Sequence, residues 1–334
     1  MSTDQLITQA RFIRRFGVRT PLIVPSFSSR GFPDVEGFFP VIKSDLYGVC
    51  LLSAFDLVTR KIPADISDVA DVVILDSGSY ETDEIPIPRD RHYQAPANMP
   101  WSREDYRAFL KTLGAEVNTV AVSFDTYAPV QDQIAAARED VAVACEAASD
   151  FLVKPKQRGQ QLNMEEITAA ASALAPFDVI GVTDKELGNS IVEKCMALLV
   201  LRNGLSAAGL NPPIHVFGAI TPGVMLAYLL CGADIFDGLN WLRFDYSGSG
   251  LTDIDELRID DPYWEEPDTD RQLNTWRRNL SRLHRMQEIM RAFANGAPIQ
   301  TLAEHFHSNG AFLAALRAAR KAGAVKPSCT EGMK

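Results

Sequence analysis

Cysteine is scarce and scattered in this sequence. Its five residues, Cys50, Cys145, Cys195, Cys231 and Cys329, include no CxC or CxxC pair, which removes the signal for a zinc knuckle or a thioredoxin-type site. Four of them fall in apolar or helical contexts and read as reduced core residues, so cytoplasm is the expected compartment. No apolar run approaches the roughly 18 to 20 residues of a membrane span, and no membrane partner is expected. The N-terminus, MSTDQLITQARFIRRFG, is polar and amphipathic and lacks the apolar centre of a signal peptide. Histidine is sparse too. His92, His215, His284, His305 and His307 are dispersed, only His215 is near a predicted strand, and an i, i+2 pair on a helix points two ways. Metal-assisted hydrolysis is poorly served by that set. No metal and no cofactor are expected.

Positive charge is also short, with a formal net charge of −10, which argues against a generally nucleic-acid-coating surface. The charge is unevenly spread. Residues 252 to 270 hold nine acids against one arginine, whereas residues 271 to 326 hold ten Lys/Arg against two acids, a local charge of +8. A solvated helical face and a phosphate-contacting surface both fit that basic segment.

What the chain does have is a recurring short β-branched run followed by a helical pattern. The runs are TPLIVPSF (20–27), YGVCLLSAF (47–55), DVVILDSG (71–78), NTVAVSFD (118–125), DFLVKP (150–155), FDVIGVT (177–183), PIHVFG (213–218) and ADIFDG (233–238). Helical stretches such as SREDYRAFLKTLG, VQDQIAAAREDVAVACEAA, NMEEITAAASALA and LGNSIVEKCMALLVLRNGLSAAG lie between most of them. Eight runs that read as buried on both faces predict an α/β fold, a parallel (β/α)8 TIM barrel. A doubly wound open sheet is the alternative, but its glycine-rich dinucleotide fingerprint is missing after the first strand, PSFSSRGFP. The link between the second and third strands shows no clear long helix. The expected organisation is one barrel domain over 1–322, with an acidic insertion at 239–270, C-terminal helices at 271–322 and a tail at 323–334. The long helix is predicted from about Arg271 to Asn295, with Gly296 and Pro298 marking a stop and restart.

In such a barrel the C-terminal strand ends face the active-site mouth. Three strands end in an acid, Asp76, Asp125 and Asp237. Lys154 ends the fifth strand, as a site residue or a salt-bridge partner of Asp125 or Asp184, and Thr183 with Asp184 ends the sixth. One such aspartate is an ordinary helix N-cap or turn residue; three around one mouth point to a carboxylate site. Two carboxylates there allow one to stay ionised while the other moves protons. That division suits cleavage at an anomeric carbon, through a covalent ester.

At these positions the chain resembles the tRNA-guanine transglycosylases. ILDSGSYE resembles their DSGGFQ segment, VAVSFDTYAP their FDECxP segment and GADIFDGLNWLR their GxDxFDxxxPTR segment. RTPLIVPSF resembles their TPxFMPV start, and RRNLSRLHRMQEIMRAFANGAPIQTLAEHF their HNLxxxxxLMxxIRxAI ending. The similarity spans roughly residues 18 to 307 in matching order. It implies a (β/α)8 barrel exchanging a purine for a 7-deazapurine at a ribosyl carbon by double displacement. Asp237 would match the nucleophile, Asp76 the general acid/base, and Asp125 the acceptor reading the base's amino and ring N–H edge. Gly181 and Val182 would match backbone groups offered to the base. Ser77 and Gly78 would leave room for a flat base, and Tyr80 would wall it.

The departures are specific. The family's zinc module, CxCxxC with a later His, has no counterpart. Its glutamine after DSGG is Glu81, its second glycine is Ser79, and its fifth-strand glutamine falls in LVKPKQRG, where Lys154, Lys156 and Gln157 compete. NWLR replaces PTR, leaving Arg243 as the phosphate contact. The expected partners are a purine or 7-deazapurine base and tRNA or DNA held by the basic C-terminal helices. A free nucleoside, and base release in place of exchange, stay open. Mixed dimers in the family imply a homodimer or a heteromeric partner. A non-catalytic barrel subunit paired with an active paralogue and an unrelated barrel hydrolase are the competing readings. Tyr80, Trp241 and Phe244 each read as packing residues ahead of base-stackers.

Overall fold

Each predicted run forms a strand, because an apolar β-branched segment can bury both faces only inside a layered α/β fold. The strands are β1 (Leu22–Pro25), β2 (Val49–Ser53), β3 (Val72–Asp76) and β4 (Asn118–Val122). They continue as β5 (Ala148–Val153), β6 (Val179–Thr183), β7 (Ile214–Phe217) and β8 (Ile235–Gly238). The computed structural model describes residues 9–82, 99–114, 118–144, 146–246, 251–254 and 265–305. All eight strands join one parallel sheet in the order β1-β8-β7-β6-β5-β4-β3-β2. The seam between β1 and β2 is joined by a parallel bridge, Ser26 to Leu51, with the Phe27 N–H donating to the Leu51 carbonyl at 3.1 Å. The result is a nearly closed parallel barrel with flanking helices.

Period-two alternation sorts the strand residues into two layers. Leu22, Val24, Val49, Leu51, Val72, Ile74, Val120, Val122 and Leu152 pack together inside the barrel. Ile23, Cys50, Leu52, Val73, Val153, Val182 and Val216 pack outward with the helices. Ile13, Phe16 and Val18, from a hairpin pairing Phe12–Ile13 with Val18–Arg19, join the inner cluster and cover the N-terminal end of the barrel. That hairpin was not legible as a strand pair. Its strands are two residues each, too short to show a period.

The helical stretches become Arg103–Leu110, Val130–Val143, Met164–Ala169 and Ile191–Ala207. The link from β2 to β3 holds only a short helix, Ala54–Val58, and a 3-10 turn, Ile66–Asp68. The long C-terminal helix runs Asp268–Ala294, three residues earlier than expected, with Asp268 and Asp270 in its first turn, where acids complement the helix dipole. A further helix, Ile299–His305, begins after Gly296. Its expected continuation to Ala322 and the tail lie outside the described residues, as do Cys145, Cys329, His92 and His307. Within the acidic insertion, Asn240–Leu242 forms a 3-10 turn and Phe244–Asp245 pairs with Thr252–Asp253. Cys50, Cys195 and Cys231 are buried thiols outside any disulfide. Among the described residues no helix is long and apolar enough to cross a membrane.

The C-terminal helix occupies the seam. Gln287 accepts a hydrogen bond from the Ile23 N–H of β1 at 2.7 Å. Asn279 donates to the Trp241 and Phe244 carbonyls, at 2.7 Å each, and accepts from the Tyr246 N–H at 3.1 Å. Trp276 donates to the Leu242 carbonyl, and His284 stacks on Tyr47. Replacing Gln287 by leucine leaves the Ile23 N–H buried without an acceptor, a loss expected to cost about 1–3 kcal/mol. Urea unfolding of wild type and Gln287→Leu measures it; equal midpoints would show that the seam does not depend on this bond.

Candidate functional site at the barrel mouth

Asp76 ends β3, and its Oδ2 accepts from the Gly78 N–H at 3.0 Å. The turn role of this aspartate is therefore real, and it coexists with a position at the mouth. Gly78 has φ +85°, and a Cβ there would fall 2.7 Å from the Phe55 Cβ and 2.8 Å from the Trp101 Nε1. No other residue fits that turn without displacement. Trp101 pins the turn by donating to the Ser77 carbonyl at 2.8 Å, and the Ser77 and Ser79 hydroxyls are 3.1 Å apart. Tyr80 lies under the Arg30 guanidinium, 5.0 Å from its ring centroid, and its carbonyl accepts from Arg30.

Glu81 does not reach open space. It is 2% exposed, and its two oxygens accept from the Ser28 hydroxyl at 2.6 Å and the Ser53 hydroxyl at 2.8 Å. Beside it Asp56, fully buried, accepts from the N–H and hydroxyl of Ser29. These acids on the β1–β3 side face hydroxyls and amides and are all pushed up. Burial, opposed by Ser29, takes Asp56 to about 6. Burial and Asp56, opposed by Ser28 and Ser53, take Glu81 to about 7. Burial, then Glu81 and Asp125, take Asp76 to about 8. Asp76 thus carries a proton at neutral pH.

The opposite side is built on cations. The Lys154 ammonium, 6% exposed, lies 3.4 Å from Asp125 Oδ2 and 3.1 Å from Glu186 Oε1, and donates to Thr183 Oγ1 at 3.3 Å. Although burial opposes its charge, Asp125 and Glu186 raise its pKa further. Asp184, the other expected partner, turns away to Lys194 at 2.5 Å and to the Tyr228 hydroxyl; the 3-10 turn Asp184–Glu186 brings Glu186 to Lys154 instead. Asp237, at the end of β8, accepts from the Ser26 hydroxyl on Oδ2 at 2.8 Å and from the Gly218 N–H on Oδ1 at 2.9 Å.

Several expected site residues lie elsewhere. Gln157 and Lys156 are exposed, and Gln157 accepts from the Gln160 amide, so Lys154 alone of the three competing residues reaches the mouth. The Val182 side chain packs in the outer layer, and its backbone is in register with Val153 and Val216. Gly181 sits opposite His215 in the ladder, inside the barrel, where it leaves room for Asp150 and Phe217. Arg243 is 7% exposed, against the Phe32 ring, so the side chain expected to meet phosphate is buried. Trp241 is buried edge-on to Phe27 and donates to the Ser26 carbonyl, and Phe244 is partly buried against the core; both are packing residues.

Sequence reasoning passed over Asp150 and set His215 aside with the scattered histidines. His215 Nδ1 lies 2.7 Å from Asp150 Oδ2, and its Nε2 lies 3.4 Å from Asp237 Oδ1. Alternation carries the missed signal: Asp150 shares an inward phase with Leu152 and Lys154, and His215 with Phe217. Among the described residues no group of three or more His, Cys, Asp and Glu side chains is arranged to hold a metal ion. Compared with known proteins, the chain matches no family model and no curated protein.

The protonated Asp76 has a thermodynamic consequence. With a pKa of about 8 in the fold against about 3.9 unfolded, folding takes up a proton between those pH values. Its contribution is complete at low pH and is lost as pH rises through the window. Asp76→Asn is expected to gain stability relative to wild type from about pH 4 to pH 8, by at most about 1.4 kcal/mol per pH unit. Urea midpoints across that range measure it, and parallel profiles would show an ordinary carboxylate.

Proposed function

We propose that this barrel exchanges or releases a purine or 7-deazapurine base at an N-glycosidic bond, through a glycosyl ester on Asp237. The observation carrying this reading is that two carboxyl groups in one mouth have opposite surroundings. Asp76 meets one backbone N–H and several acids and is pushed up to about 8. Asp237 meets a hydroxyl, a backbone N–H and, at 3.4 Å, an imidazole. A proton donor beside a donor-supported carboxylate is the pairing that glycosyl transfer with retention uses. The order of the motifs resembling the transglycosylases supports the same chemistry, and their zinc module is not required for it.

In the first step an Asp237 oxygen bonds to the anomeric carbon, the C–N bond breaks towards the base, and Asp76 protonates the departing base. In the second, the incoming base gives its N–H proton to Asp76 and bonds to the carbon as the ester C–O bond breaks. Water in place of the incoming base gives release. Asp125, an acceptor held beside Lys154, suits a base edge carrying amino and ring N–H donors, and the neighbouring ammonium suits an acceptor on that edge. For the polymer, tRNA or DNA, the basic C-terminal segment offers less than its charge implies. Arg271, Arg277, Arg282 and Arg291 are engaged with Ile254, Asp45, Asp245 and the Pro21 carbonyl.

The test is incubation with tRNA, DNA or nucleosides and labelled guanine or 7-deazaguanine, followed by denaturing electrophoresis. Wild type is expected to trap a covalent adduct that Asp237→Ala lacks, and Asp76→Asn to slow exchange by about 10²–10⁴-fold. Equal absence of adduct in wild type and Asp237→Ala with every substrate would overturn the reading.

A further inference from the structure

Below Asp237 the barrel interior holds a charged pair that the two steps above do not use. His215 on β7 is fully buried and Asp150 on β5 is 1% exposed. The imidazole spans the gap between carboxylates, with Nδ1 at 2.7 Å from Asp150 and Nε2 at 3.4 Å from Asp237. Its ring stacks on Phe217 with centroids 3.8 Å apart. The space for this arrangement comes from Gly181, where a Cβ would lie 2.7 Å from Asp150 Oδ1 and 2.8 Å from Phe217 Cε2. Among the described residues Asp150 Oδ1 has no hydrogen-bond partner, so the charge of Asp150 is met by His215. Burial alone would strip the ring of its proton; Asp150 and then Asp237 outweigh it and take the imidazole to about 9.

Asp237 is asymmetric as a result. Its Oδ1 accepts from Gly218 and faces His215, whereas its Oδ2 accepts, among the described residues, from the Ser26 hydroxyl alone. Oδ2 is the oxygen less tied down and the one suited to carry an ester. We propose that the Asp150–His215 pair positions Asp237 and promotes its departure as a carboxylate from the glycosyl ester, so that His215 sets whether the intermediate turns over or accumulates.

This role rests on the aspartyl-glycosyl reading above. When the acceptor nitrogen gives its proton to Asp76 and its electron pair to the anomeric carbon, the C–O bond to Oδ2 breaks and its pair returns to Asp237. The negative charge that reappears is delocalised onto Oδ1, opposite the imidazolium, in an interior where a nearby charge acts strongly. No proton leaves His215, which makes it a positioning residue. A neutral residue in its place removes the positive charge opposite Oδ1, which leaves Asp237 a competent nucleophile and a poorer leaving group.

The experiment is a pulse–chase on the adduct. Wild type, His215→Gln and Asp150→Asn are loaded with nucleic acid or nucleoside and then chased with excess guanine or 7-deazaguanine. Both variants are expected to form adduct and to resolve it about 10–100-fold more slowly than wild type. Nitrogen-15 NMR of labelled histidine is expected to show a doubly protonated His215 ring in wild type at pH 7.5, and a lowered titration midpoint in Asp237→Asn. Adduct resolved at the wild-type rate by either variant overturns the role of the pair while the exchange reading stands. A neutral His215 ring in wild type overturns it without any substitution, which covers a His215→Gln protein that fails to fold. No adduct from wild type with any substrate removes the exchange reading, and this role with it.

Discussion

Burying charge around the barrel axis is the constraint on which the rest of this structure turns. An ionised carboxylate taken out of water must find a cation, several donors or a proton. Six acids, Asp56, Asp76, Glu81, Asp125, Glu186 and Asp237, gather towards the C-terminal strand ends, and each of the three solutions is used. Lys154 answers Asp125 and Glu186. Serine hydroxyls and backbone amides answer Asp56 and Glu81. Asp76, with one backbone donor, is left to hold a proton. The mouth is thereby divided into a proton-retaining side along β1–β3 and a cation-balanced side along β4–β8.

That division explains features that are unrelated in one dimension. Ser26, Ser28, Ser29 and Ser53 are small and polar because the acids of neighbouring strands need donors in little space. Gly181 lacks a side chain because Asp150 and Phe217 occupy its place. In the Asp150–His215 pair burial and the partner's charge pull against each other. Burial pushes Asp150 up despite the imidazole, and the carboxylates push the imidazole up despite burial. Both effects keep the proton on the pair.

The C-terminal helix serves the same fold from outside. β1 meets β2 by little more than the Ser26–Leu51 bridge, so an edge amide of β1 would be stranded without Gln287. The basic character of this segment is in part a docking device. Arg271 reaches the Ile254 carbonyl, Arg291 the Pro21 carbonyl, and Arg277 and Arg282 pair with Asp45 and Asp245. A charge run read along the chain cannot distinguish these arginines from solvent-facing ones, because the difference lies in what the helix is laid against.

Eight strands and the major helices were legible, since burial on two faces leaves continuous β-branched runs and helix ends leave glycine, proline and capping residues. The acids Asp76 and Asp237 on their strands were legible for the same reason, a parallel barrel putting strand ends at one mouth, whereas Asp125, expected to end β4, lies three residues beyond its last residue, Val122. Glu186 was not legible, because only the turn after β6 decides whether it or Asp184 meets Lys154. Nor was the burial of Glu81 and Arg243, since neither residue's local sequence carries a mark of what other elements lay against it. The sequence by itself determined the barrel, its direction and the acids at or just past its strand ends, because those follow from local periodicity. Only the tertiary structure decided which acid keeps a proton and which faces a cation, because a carboxyl group takes its character from neighbours brought to it by other strands.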